Sequence, residues 1–247
     1  MNKNLKLVAC TFVAAFLTAA VTPAQTIQIP GLSNTGVTTP GGTTLVTPIP
    51  SIDPNWMLAF PSPTTSSNGP TPPNGPSSLN YAAAFVNPPN SAWKLNGPNS
   101  QWITPPNRNS AGGDLFYQTT FDIPAGFDPF TATISGLWTT DNEGLGVFLN
   151  NTPISGLSLP GPTSFDPAMP YTPFLLNSSN ATFKSGTNKL HFEVRNRGVG
   201  GIDTNPTDTG LRVEFNSALS TVSVPEPATI GFGVALLGIC AGTRRRK

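Results

Sequence analysis

Carboxyl groups and a single histidine are the side chains in this sequence that could take part in acid–base chemistry. Asp141 and Glu143 have the residue types of a glycosidase pair, and Asp208-Thr209-Gly210 has the letters of an aspartic protease loop. We interpret both patterns as ordinary turns, because Asp, Asn and Gly are common in turns. An aspartic protease would also need two such loops that share a proton. His191 falls on the predicted solvent side of a strand. We therefore expect a protein that is not an enzyme and has no catalytic residue.

Five acidic or amide side chains in predicted loops carry oxygen atoms of the kind that binds calcium outside the cell. They are Asp141, Asn142, Glu143, Asp203 and Asp208. Because the sequence contains no Asp-x-Asp-x-Asp-Gly series, we interpret them as solvated turn residues. We expect no metal site and no cofactor, with calcium as the alternative.

Tryptophan is the residue type that would mark a carbohydrate site. A flat aromatic ring stacks on a sugar, while amides and carboxylates bind its hydroxyl groups. Trp102, just before Pro105-Pro106, is the candidate for an exposed ring, and Asp141 and Asn142 are the candidates for ligand-binding polar groups. Packing in the core is the alternative for Trp102. Trp138 falls on the apolar side of a predicted strand and is assigned to the core.

The composition excludes several classes of protein. Of 247 residues, 28 are proline, 24 are glycine and only 10% are charged, which is too little charge for a coiled coil. The two cysteines, Cys10 and Cys240, lie in terminal segments that we expect to be removed. Between residues 25 and 224, seven basic and 11 acidic residues leave a net charge of −4. This balance argues against nucleic acid or an anionic membrane as a partner.

Residues 1–24 have the organisation of a secretory signal peptide. Lys3 and Lys6 come first and are followed by an apolar run over residues 7–21, which we expect to be helical. The run ends in the small residues Thr22-Pro23-Ala24, which predict cleavage after residue 24. A span of 15 apolar residues is short for a retained membrane anchor, so we expect an exported protein.

Residues 224–247 contain three ordered elements. They are Pro225-Glu226-Pro227, an uncharged stretch over residues 228–243, and the basic residues Arg244, Arg245, Arg246 and Lys247. A helix over the uncharged stretch would rise only about 24 Å against a hydrocarbon core of about 30 Å, so we predict a marginal apolar helix. The basic end is expected to stay in the cytoplasm, with the body of the protein across the membrane.

This tail resembles the PEP-CTERM sorting signal of Gram-negative bacteria. The resemblance implies that an exosortase, a membrane transpeptidase-like enzyme, acts near Pro225-Glu226-Pro227. The protein would then pass from an inner-membrane precursor to the cell surface or the extracellular polysaccharide matrix. Contact with the membrane would be transient and confined to the tail. An ordinary stop-transfer helix is the alternative.

The rest of the chain divides at residue 80. Residues 25–80 are mostly Pro, Gly, Ser, Thr and Asn, which predicts a disordered, mobile spacer. The short apolar piece Trp56–Phe60 interrupts it, and the composition leaves open whether this piece is a first strand or a tether onto the folded domain. Residues 81–222 alternate short apolar runs with turn residues, the pattern of a single antiparallel β-sandwich with almost no helix. In the run 189–196, alternate apolar residues are expected to face the core, while His191 and Glu193 face water. The predicted strands are 81–86, 92–95, 101–104, 115–123, 131–139, 145–150, 173–176, 189–196 and 210–216.

The order of motifs in the predicted sandwich resembles the jelly rolls of the galactose-binding-like group. The matching segments are 116–124, 134–142, 146–151 and 184–194, where strands meet Asp-Asn, Asn-Asn and Gly-Thr-Asn turns. The resemblance implies a fold that commonly binds carbohydrate and carries over no ligand residue. We therefore expect a secreted, non-enzymatic component of the cell surface or of a biofilm matrix rich in extracellular polysaccharide. A carbohydrate-binding module is the alternative, followed by a secreted hydrolase.

Overall fold

Short apolar runs bounded by proline, glycine and asparagine form β-strands over about half of residues 25–60, 75–198 and 205–222, which the computed structural model describes. A single 3-10 turn, Pro76–Ser78, is the helical element of these residues. The strands are β1 (Thr26–Gln28), β2 (Ser51–Ala59), β3 (Ala82–Val86), β4 (Ile103–Thr104), β5 (Asn109–Ser110), β6 (Gly113–Ile123), β7 (Phe127–Asp141), β8 (Glu143–Leu149), β9 (Thr152–Pro153), β10 (Thr172–Leu176), β11 (Gly186–Asn196), β12 (Thr207–Asp208) and β13 (Gly210–Val222).

Most of the strands belong to one large antiparallel sheet. Its order is β10-β7-β13-β4-β3-β2-β6-β11-β8-β9, and β1 pairs with the far end of β13. β5 and β12 form a separate two-stranded ladder. The longest pairings join β7 to β13 in one half of the sheet and β6 to β11 in the other.

The two halves of the sheet face each other across an aromatic core. Phe192 of β11 lies with its ring centroid 5.2 Å from that of Trp138 on β7 and 5.7 Å from that of Phe174 on β10. The ring of Trp56 on β2 lies 5.8 Å from the same phenylalanine. These distances suit tilted and edge-to-face aromatic pairs, which add to the free energy gained by burial. The result is a sandwich-like arrangement in which Trp138 is buried, as predicted.

The expected all-β fold with almost no helix is confirmed for the residues that the structure describes. Within those residues, no helix has both the length and the apolar character of a membrane span. The terminal apolar helices that we predicted from residues 7–21 and 228–243 lie outside the described residues.

The first part of the expected spacer is folded, which corrects the prediction for residues 25–60. β2 lies inside the sheet between β3 and β6, and Trp56 on it is 1% exposed. Upstream of β2, Ile29 and Thr35 donate backbone hydrogen bonds to carbonyl groups of β13, at 2.8 and 3.1 Å. The low apolar content of this segment misled the prediction, because a few apolar side chains suffice when the core is supplied by other strands. Residues 61–74 lie outside the described residues.

Candidate functional site

Trp102, the predicted ring platform, lies in the interior. Its side chain is 0% exposed, and its indole Nε1 donates a 2.8 Å hydrogen bond to the backbone oxygen of Lys94. The ring centroid lies 4.6 Å from that of Trp93, which is also buried. Trp102 therefore cannot offer a face to a sugar, and the alternative of core packing is the correct one.

Asp141 and Asn142, the other two predicted ligand-binding residues, lie beside this tryptophan pair. Asp141 ends β7, and its Oδ2 accepts a 2.9 Å hydrogen bond from the indole Nε1 of Trp93. The amide Nδ2 of Asn142 donates to the Oδ1 of Asp141 at 2.7 Å. The structure thus joins Trp102, Trp93, Asp141 and Asn142 in one group, here called the Asp141 cluster.

Neighbouring loops hold the Asp141 cluster in place. The Thr209 hydroxyl donates to the backbone oxygen of Asp141 at 2.7 Å, just before β13 begins. The backbone amide of Arg197, just after β11, donates to the Oδ1 of Asn142 at 2.6 Å. Trp93 was the residue that sequence reasoning did not select. Its loop lies 48 residues from Asp141, and only the folded chain brings the two together.

Burial sets the electrostatics of the Asp141 cluster. Loss of solvent raises the pKa of Asp141 to about 7, the hydrogen bond from Trp93 opposes this rise, and the nearby negative charge of Asp208 adds to it. Both carboxyl oxygens are already engaged by Trp93 and Asn142. The cluster therefore joins loops at one end of the sandwich and leaves neither carboxyl oxygen of Asp141 without a protein partner.

The remaining acidic candidates also have protein partners. Glu143 forms an ion pair with Arg197, and Asp208 pairs with the Nε of Arg108 at 3.0 Å. In residues 25–60, 75–198 and 205–222, no three His, Cys, Asp or Glu side chains converge as ligands of a metal ion. Asp203, one of the five candidate calcium ligands, lies outside these ranges.

His191 is buried, so the prediction that it faces water is wrong. None of its surface is exposed, its Nε2 lies 3.1 Å from the Oε1 of Gln118, and the Tyr81 ring centroid is 5.9 Å away. Burial, helped by the charge of Lys189, lowers the pKa of His191 to about 4. The alternation of residues along the strand was predicted correctly, but the outer face is buried as well, with the Tyr81 ring beside His191.

Glu193 lies two residues further along the same covered face. Its side chain is largely buried, opposite Phe116 of β6 and Gly146 of β8. Burial raises the pKa of Glu193 to about 7, the charge of Asp114 adds to this rise, and Arg195 opposes it. The folded protein therefore favours a neutral, protonated Glu193 below neutral pH.

Replacement of Glu193 with glutamine is expected to flatten the pH dependence of stability. The unfolded chain releases the Glu193 proton near the ordinary pKa of 4.5, while the folded chain keeps it to about pH 7. The stability of the wild type should therefore fall as the pH rises through this window, by about 1–3 kcal/mol from this group. Thermal unfolding at pH 5, 6, 7 and 8 measures the effect. Glu193→Gln should be the more stable protein at pH 8, and parallel curves for the two proteins would refute the assignment.

The first and last strands end next to each other. β1 pairs with β13 through Thr26 and Thr221, and the backbone amide of Val222 donates a 2.8 Å hydrogen bond to the oxygen of Gln25. The predicted sorting residues, Pro225, Glu226, Pro227, Arg244, Arg245 and Arg246, lie outside the described residues.

Comparison of the chain with protein-family models gives no match, and comparison with curated proteins gives none either.

Proposed function

We propose that this protein is exported and sorted by an exosortase, and that it serves as a non-enzymatic component of the bacterial cell surface or of an extracellular polysaccharide matrix. The signal over residues 1–24 and the PEP-CTERM-like tail over residues 224–247 support this proposal. The basic end of the tail and the leading signal would both direct the body of the protein out of the cytoplasm.

The observation that carries the proposal is the position of the folded unit between the two processing sites. Cleavage after Ala24 would leave Gln25, whose oxygen bonds to Val222. Cleavage near Pro225 would fall after Val222, the last residue of β13. Both cuts would therefore spare every strand pair described above. A protein made as a membrane-attached precursor could therefore be cleaved at both sites and released without losing its fold.

The proposed role is structural, because the polar groups that suggested chemistry are engaged in holding the fold together. Asp141 binds Trp93 and Asn142, Glu143 binds Arg197, and His191 contacts Gln118. We propose a jelly-roll relationship to the galactose-binding-like group for the sandwich, supported by its antiparallel pairing and its order of motifs. A carbohydrate-binding role would need a surface other than the Trp102 ring.

Loss of the sorting residues is expected to trap the precursor. In a host that carries an exosortase, Glu226→Ala or removal of Arg244–Lys247 should leave uncleaved protein in the inner membrane. The amount in the medium or at the cell surface should fall at least about tenfold, because the tail would no longer be recognised or held in orientation. Immunoblots of membrane, surface and medium fractions measure the distribution.

Two controls accompany the sorting experiment. Ser223→Ala lies next to the motif and should be processed normally, and a tail ending in four lysines should retain the charge that holds the orientation. Release of Glu226→Ala and the truncated chain at wild-type levels would contradict exosortase sorting.

A further inference from the structure

A cavity of about 570 Å³ lies between β13 and the segment that precedes β2. Its volume is within the range of small-molecule binding sites, about 300–1,000 Å³. The lining residues are uncharged. They are Gln28, Ile29, Pro30, Gly31, Leu32, Asn34, Pro40, Gly41, Gly42, Thr43, Asn99, Phe215, Ser217 and Ala218. We call this cavity the β13 groove.

An aromatic ring forms part of the apolar wall of the β13 groove. Phe215 is half-buried, and its ring stacks on Trp56 with a centroid distance of 6.4 Å and an interplanar angle of 16°. The Phe174 ring lies perpendicular to the same ring, with a centroid distance of 5.9 Å. The buried side chains of Ile29 and Ala218 extend this apolar surface. Packing from behind therefore holds the phenyl ring in one orientation next to the cavity.

Amides and hydroxyls surround this apolar wall. Asn34 is fixed by two bonds: its Oδ1 accepts from the Phe215 amide at 2.7 Å, and its Nδ2 donates to the Asn99 oxygen at 3.0 Å. The exposed side chains of Gln28 and Asn99 make no hydrogen bond with another described residue. These two amides are therefore available, as donors and acceptors, to a ligand in the groove.

On one side, the edge of the β13 groove is formed by a turn that contains Gly41, which has no side chain to cover the groove. Gly41 has a φ of +67°, a conformation that side chains rarely adopt, and a Cβ placed there would meet nothing within 4 Å. The Gly41 amide donates a 2.9 Å hydrogen bond to the oxygen of Leu32, which fixes the turn beside the groove. The groove is therefore bordered on this side by backbone and stays open to solvent.

We propose that the β13 groove binds a short segment of a neutral polysaccharide. Sugar rings carry apolar C–H faces that pack on an aromatic ring, and their hydroxyl groups suit amides as both donors and acceptors. The absence of charged side chains from the lining selects against acidic sugars. A peptide that binds by strand addition is disfavoured, because Ile29 and Thr35 already occupy backbone oxygens on this edge of β13. This inference rests on the proposed function, because the protein would meet such a polysaccharide in the extracellular matrix.

Glycan binding by the full-length chain, purified in a detergent without a sugar headgroup, tests the proposal. The probes are neutral hexasaccharides of glucose, galactose and mannose, acidic oligogalacturonate, and a proline-rich peptide. At least one neutral hexasaccharide should bind saturably, with oligogalacturonate at least about tenfold weaker. Gln28→Ala combined with Asn99→Ala should weaken binding about tenfold or more, since both positions are exposed and the fold should be unaffected. Phe215→Leu should weaken it by a similar factor.

Phe130→Leu is the matched control, because Phe130 is 78% exposed and does not line the groove. Its affinity should equal that of the wild type. Three outcomes would overturn the proposal: no neutral glycan binds, the Gln28 and Asn99 double variant binds as tightly as the wild type, or the peptide binds in preference to every glycan. Binding is measured on purified protein and sorting is measured in cells, so failure of one proposal is distinguishable from failure of the other.

Discussion

Phe192→Ala is expected to lower the free energy of unfolding by about 3–5 kcal/mol, the usual cost of deleting a fully buried phenylalanine ring. Phe192 is 0% exposed and lies within 6 Å, centroid to centroid, of Trp138, Phe174 and Trp56. These three rings belong to β7, β10 and β2, so the substitution opens a cavity between the two halves of the sheet. Urea unfolding followed by tryptophan fluorescence gives the free energy directly.

Phe130→Ala is the matched control for this measurement. Phe130 lies at the start of β7 with 78% of its surface exposed, and its replacement should change stability by less than about 0.5 kcal/mol. An equally small effect for Phe192→Ala would mean that the two halves of the sheet do not meet at this ring. The sandwich-like arrangement would then be incorrect.

A chain that begins at residue 81 is expected not to fold. Such a chain retains the domain that composition predicts, but it lacks β1 and β2. Without β2, the pairing partner of β3 and β6 is lost, together with the Trp56 ring in the core. Exposed strand edges and an incomplete core favour aggregation over a cooperative native state. The expected product is insoluble, or soluble without a cooperative thermal transition.

A chain that begins at Gln25 is the comparison, since it keeps every strand that the structure describes. It should give one cooperative transition and a near-ultraviolet circular dichroism signal from its buried tryptophans. The same transition and signal from the chain that begins at residue 81 would show that residues 25–60 are dispensable. The composition-based boundary at residue 80 would then stand.

The later strands were predictable because their residues alternate. The predicted runs 115–123 and 189–196 fall within β6 and β11, and the inward residues Leu190 and Phe192 are buried as expected. β13 continues beyond the predicted run 210–216 to Val222. Its pairing with β7 shifts between Phe215 and Ser217, and a bulge of this kind breaks the period of two on which the prediction relied.

The features that sequence reasoning missed depend on contacts between distant parts of the chain. Residues 92–95 are apolar enough to suggest a strand, yet they lie in a loop that begins with a turn, and Trp93 in this loop reaches Asp141. Trp102 has polar and proline neighbours along the sequence, but Trp93 and the Lys94 backbone enclose it. Glu193 is buried, and so is Phe116, its neighbour on the paired strand. Local pattern indicates which residues share a face, and it does not indicate what lies against that face.

Intact mass spectrometry of the protein recovered from the cell surface or culture medium is the decisive test of export and release by cleavage. The recovered species is expected to begin at Gln25 and to end close to Pro225-Glu226-Pro227, with Cys10 and Cys240 both absent. Such a species would consist of the folded unit with few residues beyond β1 and β13. Recovery of a protein whose mass still includes Cys240 and the terminal arginines would contradict release by cleavage at the tail.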